Sequence, residues 1–352
     1  MSVRDVNHDG GRRRVSTREG HRGFTLIELM VAMLLGLIVI GGVTSVFLAN
    51  QQTYRTNNAL GDVQESTRLA VELLAHDIRN AQLTGCNNNA RFTSVLKNGP
   101  ANGGTDWWAN WGNAIVGYAR GTTDPAVASG TAETNRVSTT DSIELLGAAD
   151  TTMSVNVHSP SAATPNFTIN GSAGDLQGGD IIVVCDPDHA TILKTTTYTD
   201  STKTITYDAT NNCSTGLGYP GVCVASGNPY TFGQSALIAK LSAVDWYIGV
   251  NPAGGKSLYR VSLSNDGAGA VKANSFQEMV RNVTDMKITY LQSGTTSFVA
   301  PASVTSWAGV TAVQVQLTVQ SDDARAGTDV QGQAQALMRN VAITATLRNR
   351  VN

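Results

Sequence analysis

The sequence predicts an α+β fold, with one long N-terminal α-helix packed on an antiparallel β-sheet and a large loop and strand insertion between them. Leu29–Ala49 is a run of 21 uncharged residues, and apolar positions continue beyond it at helical spacing. The last hundred residues instead alternate apolar and polar side chains with period two. Between these lies a stretch rich in Asn, Gly, Thr and Ser with only short strand candidates. The expected divisions are a basic leader (1–23), an apolar helix half (24–50), an amphipathic helix half (51–84), a variable insertion (85–235) and a sheet region (236–352).

The leader carries Arg4, Arg12, Arg13, Arg14, Arg18 and Arg22 against Asp5, Asp9 and Glu19. A basic segment directly before an apolar run keeps its own side cytoplasmic, so the rest of the chain is expected to face outward. Charged residues make up 15% of the 352-residue chain, below the roughly 25% of soluble proteins, which suits an exported, β-rich surface. With a formal net charge of -2 the chain lacks the basic footprint of a nucleic-acid binder.

The apolar run is long enough to cross a bilayer, and the residues after Ala49, NQQTYRTNN, offer no small-residue cleavage site of the secretory type. The run is preceded by Gly23-Phe24-Thr25-Leu26-Ile27-Glu28-Leu29, which sets an acidic side chain inside an apolar stretch. Such a carboxylate is costly in a membrane unless paired. This segment resembles the type IV prepilin motif. The resemblance implies cleavage after Gly23 by prepilin peptidase and methylation of the new N-terminal Phe24. It also implies that Glu28 meets the N-terminal amine of a neighbouring subunit as an assembly counter-ion.

Leu60, Val63, Thr67, Ala70, Leu74, Ile78 and Ala81 recur every three or four residues, so the helix is expected to continue to about Thr84 and stop at Gly85. Arg68 with Glu72, and Glu72 with His76, stand one turn apart on its polar side. Val313, Val315, Leu317 and Val319 form the clearest inward strand face. Val341, Ile343, Ala345 and Leu347 repeat it, with weaker versions at Met286, Ile288 and Tyr290 and at Val244, Trp246, Ile248 and Val250. Asn265-Asp266-Gly267 and the polar span 321–333 read as breaks between strands. Inside the insertion, 181–184 reads as a strand, and 192–198 with 203–207 as a hairpin.

Cys86, Cys185, Cys213 and Cys223 all follow the apolar run, and an even count on the outward side favours disulfides. Four cysteines allow three connectivities. The glycine-rich STGLGYPGV between Cys213 and Cys223 favours their pairing, which leaves Cys86 to Cys185. Trp107, Trp108 and Trp111 beside Tyr118 read as a cover for the helix end or as a sugar or surface contact. Asp186, Asp188 and His189 read as a turn more readily than as a metal site. No catalytic or phosphate-binding motif occurs, and no cofactor or metal is expected.

The order of parts and the closing MRNVAITATLRNR resemble the PilW family of minor pilins. That resemblance implies a structural subunit of a type IV pilin-like fold, held in the inner membrane with its head in the periplasm and later in an extracellular pilus. It implies that the subunit helps to initiate assembly at or near the filament tip. The implied partners are other minor and major pilins, prepilin peptidase, the inner-membrane assembly platform and a PilY-type tip adhesin. A type II secretion pseudopilin, a major pilin and a tip adhesin or DNA-binding module remain the alternatives.

Overall fold

A computed structural model of the chain describes residues 23–86, 90–149, 153–266, 271–329, 331–348 and 350. The leader up to Arg22 lies outside these, as do Gly267 of the expected turn and Asn349 of the closing phrase. The chain divides into two units, 1–54 and 55–352, and one helix, α1 (Leu26–Asn80), includes residues of both. In the first unit, every residue from Leu29 to Ala49 is exposed except the half-buried Gly36.

In the second unit α1 buries Ala59, Val63, Thr67, Ala70, Leu74, Ala75 and Ile78, a stripe at helical spacing. Leu60, expected on that stripe, is 45% exposed, and Ala59 takes the inward position. The Thr56 hydroxyl donates to the Ala326 carbonyl at 2.7 Å, which turns the row through Thr56, Ala59 and Val63 towards the sheet. Arg68, expected on Glu72, turns back to Glu65 at 3.1 Å, in keeping with the preference for the acid on the N-terminal side. His76 lies 3.2 Å from Asp77 instead of on Glu72. The helix stops at Asn80, short of Thr84. Gln82 adopts φ 62° and its N–H donates to the Leu146 carbonyl at 2.6 Å, so the chain leaves the helix to join the sheet.

The strands of the insertion are β1 (Arg91–Ser94), β2 (Ile115–Tyr118), β3 (Ser142–Ala148), β4 (Met153–Ser159) and β5 (Asn166–Gly171). They are followed by β6 (Ile181–Cys185), β7 (His189–Lys194), β8 (Thr197–Thr199) and β9 (Thr204–Thr206). The sheet region supplies β10 (Leu237–Val250), β11 (Lys256–Asn265), β12 (Val271–Arg281), β13 (Val283–Gln292) and β14 (Val310–Gln320). A short pair, β15 (Gly327–Thr328) and β16 (Ala334–Gln335), precedes the last strand, β17 (Met338–Thr346). Within the expected hairpin only Thr197–Thr199 pairs with Thr204–Thr206. Ile192 pairs with Val183 in the β6–β7 hairpin, because the apolar 189–194 run is buried where 197–199 is not.

Strand β10 organises the larger sheet, which has 12 strands. Its first residues pair with β6 and β4, and its later residues with β3 and β11, all antiparallel. The β1–β7 pair is parallel, so the sheet is mixed but largely antiparallel. A second sheet runs β13-β14-β17. Val63, Ala70, Leu74 and Ile78 of α1 share one core with Val244, Trp246 and Ile248 of β10 and with the inward faces of β13 and β14. On β17, Val341 and Ile343 are half-buried and Ala345 is buried.

The opposite face of β10 is also covered. Ala243 and Tyr247 join Trp107, Trp111, Val183 and Val261 in a second core. The tryptophans therefore back the sheet on the side away from α1 and do not cover the helix end. A third core, built around Phe167, Tyr207, Phe232 and Leu193, lies within the insertion. Polar groups lock helix to sheet: the Trp246 indole N–H and the Arg260 Nε–H donate to Asp77 Oδ2 at 2.9 and 3.0 Å.

Leu74 is fully buried, whereas Leu60 is not. Leu74→Ala is expected to destabilise the head by about 2–5 kcal/mol, and Leu60→Ala by no more than about 0.5 kcal/mol. Chemical unfolding of the detergent-purified chain measures both; equal losses would contradict the register of the stripe.

Candidate functional site

The segment expected to direct processing opens with Gly23, which is exposed and extended from any packing: a Cβ added there meets nothing within 4 Å. Folding thus places no demand for glycine at this position. Phe24 is 88% exposed. Thr25 then caps α1. Its hydroxyl accepts the Glu28 N–H at 3.3 Å, while Glu28 Oε2 accepts the Thr25 N–H and hydroxyl, each at 3.0 Å. This is a reciprocal capping box, in which two groups left over at a helix start satisfy each other. The Thr-x-x-Glu spacing of Thr25 and Glu28 is the sequence signal of this cap.

Glu28 therefore sits at the start of a helix whose exposed apolar surface cannot remain in water. By length and composition α1 can cross a membrane. A Cβ added at Gly36, Gly41 or Gly42 also meets nothing within 4 Å.

In the head, the structure joins Cys86 to Cys185 with Sγ atoms 2.02 Å apart, and Cys213 to Cys223. The first bond ties the segment after α1 to the end of β6 and closes a separation of 99 residues. Loops of that length stabilise by about 4–5 kcal/mol through lost chain entropy. The second closes the loop that follows Asn212, whose side chain holds Lys194 N–H and O at 2.7 and 2.9 Å.

Asp186 and its neighbours form a turn. Asp186 Oδ1 accepts the backbone N–H groups of Asp188 and His189 at 2.9 and 2.8 Å, its Oδ2 accepts the Tyr230 hydroxyl, and Asp188 pairs with Arg91. Among the described residues no group of three or more His, Cys, Asp or Glu is arranged to hold a metal ion.

Sequence reading also missed a buried acidic cluster. Asp245 of β10 and Glu144 of β3 are cross-strand partners, and both are buried with Asp124 and Arg136. Tyr118 donates to Glu144 Oε2 at 2.8 Å and Ser142 donates to Asp124, but among the described residues neither Asp245 carboxylate oxygen has a well-aligned hydrogen-bond partner, the Trp246 N–H acting on it only weakly. Arg136 spends its Nη donors on the carbonyls of Tyr118, Ala119, Thr122 and Thr140. Burial, then the neighbouring carboxylates, pushes the Asp245 carboxyl well above its usual range, and the same causes act on Glu144. In the insertion core His158 has the opposite shift: burial lowers it to about 4. Its Nδ1 accepts the Phe232 N–H at 3.0 Å, so its Nε2 donates to Tyr207 at 2.8 Å and the ring is neutral.

Residues 19–44 match the family model of the prokaryotic N-terminal methylation motif, and residues 245–351 match that of the type IV pilus-assembly protein W. Residues 45–244 fall in neither match. No curated protein and no solved structure matches the chain.

The two shifts set opposite pH limbs. Asp245 and Glu144, raised in the fold, favour folding below the unfolded carboxyl range near pH 4, and that contribution is lost as pH rises towards their folded values. His158, lowered in the fold, favours folding above about 6.5, and its contribution is lost as pH falls towards about 4. Across either window each group changes stability by about 1.4 kcal/mol per pH unit. Thermal unfolding against pH is expected to show Asp245→Asn flattening the alkaline limb and His158→Gln the acid limb. An alkaline limb that Asp245→Asn leaves unchanged would count against the buried acid.

The long apolar helix packed by its second half on a largely antiparallel sheet, the methylation motif at its start and the assembly-protein match at the other end agree, and together they support a type IV minor pilin of the PilW family.

Proposed function

We propose that this pilin initiates filament assembly, entering in few copies at or near the tip. Prepilin peptidase cuts after Gly23 and methylates Phe24, the inner membrane holds α1, and the head waits in the periplasm. On assembly, Glu28 pairs with the N-terminal amine of a neighbouring pilin while the apolar half of α1 exchanges lipid for protein. Other minor and major pilins and the inner-membrane assembly platform are its partners, and the enlarged head carries a PilY-type adhesin. Residues 1–23, 24–50, 51–84, 85–235 and 236–352 serve as leader, membrane and assembly half, amphipathic half, insertion and pilin sheet.

The observation that carries this reading is the insertion. Residues 45–244 lie outside both family matches, and within them the chain builds a core of its own around Phe167 and Tyr207. A head with so much added to the pilin plan suits a position where neighbours do not surround it. The pilin assignment itself supports a structural subunit in place of an enzyme.

Processing and pairing can be separated by three variants. Gly23→Val should leave the head folded, since the site is unpacked, and abolish cleavage; mass spectrometry should find Phe24 methylated only in the wild type. Glu28→Ala should still insert in the membrane, yet its recovery in sheared filaments should fall to less than about a tenth. Thr25→Ala removes the cap, worth about 1 kcal/mol, and keeps the carboxylate, so near-normal recovery is expected. A Thr25→Ala defect as deep as that of Glu28→Ala would reduce Glu28 to a capping residue. Deleting the protein should lower the number of filaments per cell and leave their length unchanged; unchanged filament numbers would contradict an initiating role.

A further inference from the structure

The three tryptophans are not equivalent. Trp107 and Trp111 are buried behind the sheet, while Trp108 remains half-exposed with its ring 77° to that of Trp107. Trp108 lines a cleft of about 340 Å³ together with Asp106, Asn98, Lys97, Lys194 and Asn211. That volume lies within the range of small-molecule sites.

Local sequence makes the cleft rigid. The turn between Asn98 and Asp106 is closed by the Asp106 N–H on the Asn98 carbonyl at 3.1 Å. A Cβ on Gly104 would lie 1.8 Å from that same carbonyl oxygen, so only glycine fits there. Asn102 Nδ2 donates to the Leu96 carbonyl at 2.7 Å and lies 3.5 Å from Cys213 Sγ, which joins the turn to the disulfide loop. On the other wall, Asn211 Nδ2 is fixed by Asp208 Oδ1 at 3.1 Å.

The opposite charges facing this cleft do not close on each other. Asn98 hydrogen-bonds the Asp106 carboxyl and Lys194 lowers it electrostatically, yet among the described residues no ion pair forms between Asp106 and Lys194. Neither the Lys194 ammonium nor the Trp108 indole N–H has a hydrogen-bond partner among the described residues. Lys97 reaches only the Thr210 carbonyl, at 3.4 Å. Partial burial raises the Asp106 carboxyl, against the opposing effects of Asn98 and Lys194, so the group gains from donors brought to it.

We propose that this cleft is a saccharide-binding subsite that takes one pyranose residue of a surface glycan. A pyranose has an apolar C–H face for an indole wall and hydroxyls that both donate and accept. Asp106, already held by the Asn98 side chain, accepts from one hydroxyl, Lys194 donates to another, and the sugar bridges the two charges. A nucleotide would use the same indole for stacking and could set its phosphate against Lys97 or Lys194, but it would bring no donor suited to the Asp106 carboxylate beside them, so the sugar, whose hydroxyls serve both charges, is favoured. The site depends only on the fold of the head and holds wherever the subunit sits in a filament.

The test uses the full chain in a detergent without a sugar headgroup. Glucose, galactose, N-acetylglucosamine and a single-stranded oligothymidine are titrated while intrinsic tryptophan fluorescence and calorimetry are followed. Saturable binding of at least one sugar is expected at millimolar concentration. Trp108→Ala should weaken it by about tenfold or more and Asp106→Asn by a comparable factor. Asp106→Asn, at a half-buried rim position, keeps the test usable if Trp108→Ala fails to fold, and unfolding curves identify that case. Absence of binding by all three sugars, equal binding by folded variants, or binding of the oligonucleotide alone would each overturn the proposal.

Discussion

Strand β10 is the element on which the rest of the head depends, because it is buried on both faces and paired along both edges. Val244, Trp246 and Ile248 face α1, and Ala243 and Tyr247 face the layer that holds Trp107 and Trp111. Its first residues pair with β6 and β4 of the insertion, and its later ones with β3 of the insertion and β11 of the sheet region. The insertion is consequently not a separate body on a tether. Ile115 of β2 and Ile143 and Leu145 of β3 stand in the same core as Leu74 and Ile78. Burial on both faces also explains how carboxyls come to lie inside: Asp245 has no solvent side to turn to, and Glu144 is its partner across the ladder.

The two halves of α1 meet opposite demands. Between Val63 and Ile78 its apolar stripe is covered by the sheets, and Asp77 gathers the Trp246 and Arg260 donors at the end of that stripe. From Leu29 to Ala49 the apolar surface goes all round, as expected of a helix that lipid or protein must enclose. The Thr25–Glu28 capping box satisfies the carboxylate at the exposed start of that segment. A carboxylate held this way is compatible with a helix in either surrounding, since its local hydrogen bonds move with it.

Local patterns were the legible part of this chain. The alternation of β14 appears in the structure as Val313, Val315, Leu317 and Val319, all buried, and the prepilin-type motif was readable from seven residues. What escaped reading depends on partners distant in sequence. Leu60 and Ala59 are both apolar, and the contact of Thr56 with Ala326 decides which of them turns inward. Arg68 is the local exception: it has two glutamates within a turn and uses the earlier one, a choice that spacing alone leaves open. The tryptophans looked alike, and their fates were set by which side of β10 the 107–111 segment packs against. Asp245 and Glu144 could not be seen as neighbours, since a strand ladder joining residues about a hundred apart leaves no periodic mark.

The central claim is that an enlarged pilin initiates filaments and stays where neighbours do not crowd its head. It is tested most directly by labelling the head with gold on intact filaments and counting labels per filament. The account predicts one or a few labels gathered at a single end. Dense, regular labelling along the shaft would contradict it and make the subunit a building block of the filament body.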